Sequence, residues 1–174
     1  MDIWTAIKNR RSVRKFTDDR IEDEVLKNLV LEAGIWAPSG GNVQAWRFFI
    51  ITDPKILNKV KLVSPGILGS PASVIVICED LTCELEKGGE LGVKVLSLMD
   101  TAMAAQNIML AAYAVGLGTC PIASFHAEAV QRIIGLPAHL CPQLLISVGS
   151  PRGDFPATPR RNLDVVWFNS YADE

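Results

Sequence analysis

The chain has 174 residues, of which 49% are hydrophobic and 21% charged, and its formal net charge is −2. That length suits a single domain, spanning 1–174, with one good core, and the near-neutral balance argues against nucleic acid as the main partner. The most apolar stretch, Leu91 to Leu117, is interrupted by Lys94, Asp100, Gln106 and Asn107, so no membrane span is expected; with no signal pattern at Asp2-Ile3-Trp4, a cytoplasmic location is expected.

Ile3, Ala6 and Ile7 recur at helical spacing, which predicts a short helix from Asp2 to about Asn9 with Asp2 as its cap. It runs into Arg10-Arg11-Ser12-Val13-Arg14. Val25, Leu26, Leu29, Val30 and Ala33 predict a second helix ending near Trp36, followed by turn chemistry in Ala37-Pro38-Ser39-Gly40-Gly41-Asn42. Arg47 to Thr52 is β-branched and aromatic, hence a strand. Asp53-Pro54 opens a third helix carrying Ile56, Leu57 and Val60, and Ser64 to Ala72 is a Gly/Pro-rich loop. Ser73 to Cys78 is a continuous apolar run, as in a central strand.

Cys83 to Gly89 is polar and expected to be exposed. From about Glu90 to Val115 a long helix is predicted that is apolar on nearly every face, the mark of a buried spine that often packs against a second copy of itself. Gly116-Leu117-Gly118 ends it. Thr119 to Phe125 reads as short and extended, Ala127 to Ile134 as a helix and Gln143 to Val148 as a strand. Pro151 to Pro159 is irregular, and Leu163 to Phe168 is a last strand-like run. There is no clean βαβαβ alternation and no GxGxxG after a strand, which disfavours a dinucleotide-binding doubly wound sheet. Helices bracketing a mixed or antiparallel sheet, an α+β layer arrangement, fit better.

The four cysteines, Cys78, Cys83, Cys120 and Cys141, form no CxxC pair, and His126 and His139 do not flank them at ligand spacing, so no metal site is expected. Cys78 and Cys141 read as small core residues, and Cys120 as a buried thiol.

Three polar clusters remain. Arg10 to Arg14 packs three guanidiniums into five residues; such a cluster repels itself unless an anion sits between the charges, the alternative being a solvated basic helix end. Pro38 to Trp46 offers glycines for close backbone approach and Asn42 and Gln44 as donors and acceptors, the alternative being an ordinary capped loop. Pro159-Arg160-Arg161 is either part of an anion site or a charged surface turn.

In that order the segments resemble the FMN-dependent nitroreductase family. The resemblance rests on Arg10-Arg11-Ser12-Val13-Arg14-Lys15-Phe16, on Ala37 through Phe48, on Ala111 through Cys120, and on Pro159-Arg160-Arg161-Asn162-Leu163-Asp164. It implies a three-layer α+β fold, its central and mostly antiparallel sheet flanked by helices, in an intertwined homodimer with two FMN molecules at the subunit interface. Arg10 and Arg11 would approach the FMN phosphate, with Arg160 or Arg161 completing the anion site. Ser12 would bond the ribityl chain or ring, and Arg14 would face the pyrimidine edge. Pro38, Ser39 and Asn42 would come from the other subunit, with Gln44 close by. Pro121-Ile122-Ala123 would lie over the ring, with a backbone N–H near Ala123 at flavin N5.

The implied activity takes hydride from NADH or NADPH and passes electrons to nitroaromatic, quinone or related acceptors, with no catalytic acid, nucleophile or metal. The alternatives are a flavin-storage protein with little turnover and a related flavin enzyme of different chemistry. Ala45, Pro121 and Ala123 depart from residues common in the family. The chain also lacks room for a large insertion after the second strand. Cys83 to Gly89 is the only nearby stretch for a lid, so a smaller lid and a more open site are expected.

Overall fold

The structure, a computed structural model, describes residues 1–162. The strand expected at Leu163 to Phe168 lies outside the described residues. Both early caps form as their chemistry dictates. Helix α1 spans Ile3–Asn9, and the Asp2 side chain accepts from Thr5 N at 3.0 Å. Helix α2 spans Asp23–Leu31, and the remainder of that segment tightens into a short 3₁₀ turn, Gly34–Trp36. Strand β1, Trp46–Ile51, leads to helix α3, Pro54–Leu62, where Asp53 accepts from Lys55 N and Ile56 N, each at 2.9 Å.

The strands β1, β2 (Ser73–Asp80), β3 (Gly118–Ile122) and β4 (Leu140–Gly149) form one sheet in the order β1-β2-β4-β3, every pairing antiparallel. All eight residues of β2 are buried, as its apolar run predicts for an inner strand. Successive side chains on a strand point to opposite faces, and both faces are covered. Ile75 and Ile77 pack with Leu26 and Leu29 of α2 and with Ala104, Ala105 and Ile108 of the long central helix. Val74, Val76 and Cys78 face the other way, against Val60 of α3 and Val130 of helix α6 (Ala127–Ile133). The result is helices, sheet, helices: three layers. Burial and the neighbouring Cys141 push the Cys78 thiol up to about 12, as expected for an inert core cysteine.

The central helix differs from the sequence expectation. Helix begins directly after β2, not at Glu90: α4 spans Leu81–Leu91, a π-turn covers Gly92–Leu96, and α5 spans Ser97–Ala114. The Asp80 side chain starts it by accepting from Cys83 N at 3.1 Å. The Cys83 to Gly89 stretch is therefore helical, with Glu84 only 1% exposed. The run from Leu81 to Ala114 is long and apolar enough to cross a membrane, with a mean hydropathy of 1.3 over its most apolar window. It is nonetheless a core helix: Gly89, at φ 62°, interrupts it, and Thr101, Ala104, Ala105, Ile108 and Ala112 are buried.

Two crossings place the N-terminal arginines. Val13 N donates to Thr119 O at 2.8 Å, and Ser12 pairs with Thr119 in a parallel bridge, so Arg10 to Arg14 lies along the outer edge of β3. The approach is close: a Cβ at Gly118 would lie 2.7 Å from the Val13 side chain. After β4 the chain returns beside the same segment, Thr17 N donating to Ser150 O at 2.9 Å and Arg152 N to Lys15 O at 3.0 Å.

Candidate functional site

These crossings build a cleft of about 380 Å³. Arg10, Arg11, Ser12 and Arg14 line one side, and Phe155, Pro156, Thr158 and Arg160 the other. Backbone carbonyls pin the guanidiniums. Arg11 Nη1 donates to Lys8 O at 2.6 Å and to Arg10 O at 3.0 Å, and Arg160 Nη1 donates to Thr158 O at 3.3 Å. Arg10 Nη1 and Arg11 Nε are nevertheless buried without a hydrogen-bond partner among the described residues. No carboxylate pairs with Arg10, Arg11, Arg14 or Arg160 among the described residues. Burial first, then the charges of Arg11 and Arg160, pull the Arg10 guanidinium below its ordinary value. Desolvated cations with unused donors are costly unless an anion completes them. The donor set is planar, multiple and positive, which fits a phosphate.

A second polar element is the Ser39 to Gln44 turn. Gly41, Asn42 and Gln44 have φ of 56°, 56° and 55°, a left-handed path uncommon for residues with a side chain. Several bonds hold it. Gln44 N donates to Ser39 Oγ at 3.1 Å, Gln44 Nε2 to Asn42 Oδ1 at 2.8 Å, and Arg47 Nη1 to Gln44 O at 3.3 Å. Arg47 is itself fixed by Asp80 at 2.8 Å. From below, Gly40 N donates to the Asp100 carboxylate, 3.2 Å from Oδ1 and 3.1 Å from Oδ2. Pro38, Asn42 and Gln44 stay exposed and Ser39 is half-buried.

Within one chain the sequence-predicted residues fall into separate groups. Arg10, Arg11, Ser12, Arg14 and Arg160 share the cleft; Arg161 is exposed and outside its lining. The Pro38 to Gln44 turn and the Pro121 to Ala123 segment do not line it either. Pro121 and Ala123 are exposed at the end of β3, whereas the Ile122 side chain lies in the core, so Ile122 offers a ligand only its backbone. Cys120 is buried at 4% exposure, its thiol 3.6 Å from Pro121 O. Sequence reasoning missed Phe155, Pro156 and Thr158; the only signal was the run of prolines at Pro151, Pro156 and Pro159, which favours an extended path. It also missed Asp100, which reads only as a polar interruption of an apolar helix.

Comparison with known proteins identifies the family and the fold. The model of the nitroreductase family matches residues 7–65 and 60–150. A protein of Methanothermobacter thermautotrophicus named for NADH dehydrogenase/NAD(P)H nitroreductase is 30% identical over 158 residues, covering 87% of this chain and 78% of its own. The FMN reductase (NADPH) of Bacillus subtilis is 29% identical over 182 residues, covering 95% and 73%. Among solved structures, the NfrA1 nitroreductase of B. subtilis superposes with a TM-score of 0.80 at 28% identity, covering 91% of this chain and 70% of that one.

Proposed function

This chain belongs to the nitroreductase family, and we propose that it is an FMN-dependent oxidoreductase that takes hydride from NADH or NADPH and serves nitroaromatic, quinone or related acceptors. The observation that carries the reading is the pair of buried donors, Arg10 Nη1 and Arg11 Nε, unpartnered among the described residues, in a cleft completed by Arg160. In this reading Arg10, Arg11 and Arg160 hold the phosphate of FMN, and Ser12 bonds the ribityl chain or ring. Bound there, FMN would supply the hydride and electron chemistry. Arg14 sets a fixed positive charge at the pyrimidine edge, which favours the reduced, more negative cofactor and so raises its potential. The segment Pro121-Ile122-Ala123 would lie over the ring and offer it a backbone N–H near Ala123. The chain needs no acid or nucleophile of its own; its residues bind, orient and tune.

The site is complete only in a homodimer, where Pro38, Ser39, Asn42 and Gln44 of a second copy line the flavin. Exposed apolar side chains support such an interface: Trp4 is 67% and Trp36 74% exposed, with Ile3 and Ile7 on α1 and Leu98, Met99 and Met103 on α5 also open. The stretch from Cys83 to Gly89 is part of helix α4 and is short, which favours a small lid, a more open site and looser acceptor choice. A cytoplasmic enzyme fits this chemistry.

The test is the visible spectrum of the purified protein before and after NADH or NADPH in the absence of oxygen. A flavin spectrum that bleaches is expected. A colourless protein that takes up no added FMN would overturn the reading, and a yellow protein that nicotinamide does not bleach would favour storage.

A further inference from the structure

We propose that Asp100 is a positioning residue of the redox site: its carboxylate fixes Gly40 and, through it, the left-handed Ser39 to Gln44 turn. The inference rests on the FMN reading above, in which that turn faces the flavin of the neighbouring subunit.

Asp100 sits on α5, 4% exposed, with both oxygens on Gly40 N, the first donor of the turn. It borders a narrow gap lined also by the buried Glu79, Glu84, Ser97 and Thr101. Both Glu84 oxygens and Glu79 Oε1 lack partners among the described residues; Glu79 Oε2 accepts from Gln143 Nε2 at 2.7 Å. The helix is shaped around Glu84: at Gly92, in the π-turn, a Cβ would lie 2.6 Å from Glu84 Oε2.

Every titratable group facing this gap is acidic. Glu84 comes from α4 and Glu79 from β2, with the Cys141 thiol of β4 beside Glu79. Asp80 is committed to Arg47 of β1, and Lys94 to the exposed Glu90. Among the described residues no lysine or arginine pairs with Glu79, Glu84 or Asp100, and no set of side chains is arranged to hold a metal ion. Like charges in a buried gap cannot all persist, so protons must neutralise some of them. The hydrogen bonds decide which. Burial pushes the Asp100 carboxyl above its ordinary value while the Gly40 N–H opposes that shift by favouring the ionised form; among the described residues nothing donates to Glu84. Burial, then Asp100 and Glu79, push the Glu84 carboxyl above its ordinary value. Acid that reaches Asp100 removes the charge from its bond to Gly40 and loosens the turn.

The experiment measures FMN dissociation by fluorescence from about pH 5 to pH 8, and hydrogen exchange at Gly40 in flavin-free protein corrected for intrinsic rate. Wild type is expected to lose affinity toward acid and to protect Gly40. Asp100→Asn, which keeps an acceptor without charge, should bind FMN about tenfold more weakly at neutral pH and lose the part of the acid limb due to Asp100. Asp100→Leu should lose about a hundredfold and the protection of Gly40 as well. Glu84→Gln should keep neutral-pH affinity, its amide giving Asp100 a donor. Wild-type protein that binds FMN, with Asp100→Asn showing the same affinity, acid limb and Gly40 protection, would overturn the inference alone. Wild-type protein that binds no FMN would overturn the flavin reading and the inference with it.

Discussion

The cleft at the outer edge of β3 and the gap beneath the Gly40 turn contain the same anomaly with opposite sign. Among the described residues, guanidinium donors of Arg10 and Arg11 are buried without partners in the first; in the second, both Glu84 carboxyl oxygens and Glu79 Oε1 are. Chemistry separates their outcomes. An arginine does not shed its proton in a protein, so its charge must be balanced from outside, and this cleft opens to solvent on one side of the fold. A carboxyl group balances itself by taking a proton, and the residues lining the gap around Glu84 are all buried. An unpaired charge in an open cleft therefore points to a ligand, whereas in a buried gap it points to a protonation state.

Substitutions can break or sharpen that contrast. The largest effect is expected for Arg10→Ala. Loss of a charge-assisted contact of about 2–3 kcal/mol should weaken FMN binding about a hundredfold, read by flavin fluorescence titration, while Arg10→Lys restores only part. The flavin-free Arg10→Ala protein should melt no lower than wild type, since a desolvated charge repelled by Arg11 and Arg160 is removed. Next is Arg14→Ala, which should retain FMN but lower its midpoint potential by about 30 mV, measured by equilibration with redox dyes. An unchanged potential would remove Arg14 from its tuning role.

Glu84→Gln should stabilise the fold by about 1 kcal/mol near neutral pH in urea unfolding. The sign follows from linkage: the folded Glu84 binds its proton more tightly than the ordinary value of 4.5, so wild type is favoured at acid pH and loses that advantage as pH rises. The gap between variant and wild type should therefore close toward pH 4.5. The smallest effect is expected from inorganic phosphate. It should raise the melting temperature of flavin-free wild type by an amount equivalent to about 1 kcal/mol or less, and leave the Arg10→Ala, Arg11→Ala double variant unmoved.

Much of the scaffold is legible in the residues. Asp2 and Asp53-Pro54 announce helices α1 and α3, and the apolar run of β2 announces a strand covered on both faces. The start of α4 is not legible, because Glu84 is a residue type expected in water and its burial follows only from where β2 delivers the chain. The arginine cluster stands out by composition as a candidate anion site, but Phe155 and Thr158 join it through the pairing of Lys15 to Thr17 with Ser150 to Arg152, a tertiary event with no local signal. Glycines mark the Ser39 to Gln44 turn, yet the left-handed conformations at Asn42 and Gln44 depend on Asp100 and Arg47, which lie elsewhere in the chain.

The most direct test of the central claim compares FMN with riboflavin, which carries the same ring and no phosphate. Flavin-free wild-type protein should bind FMN at least a hundredfold more tightly, and the Arg10→Ala, Arg11→Ala double variant should bind the two about equally. Equal affinity of wild type for FMN and riboflavin, or no affinity for either, would contradict the assignment of the arginine cleft to the flavin phosphate.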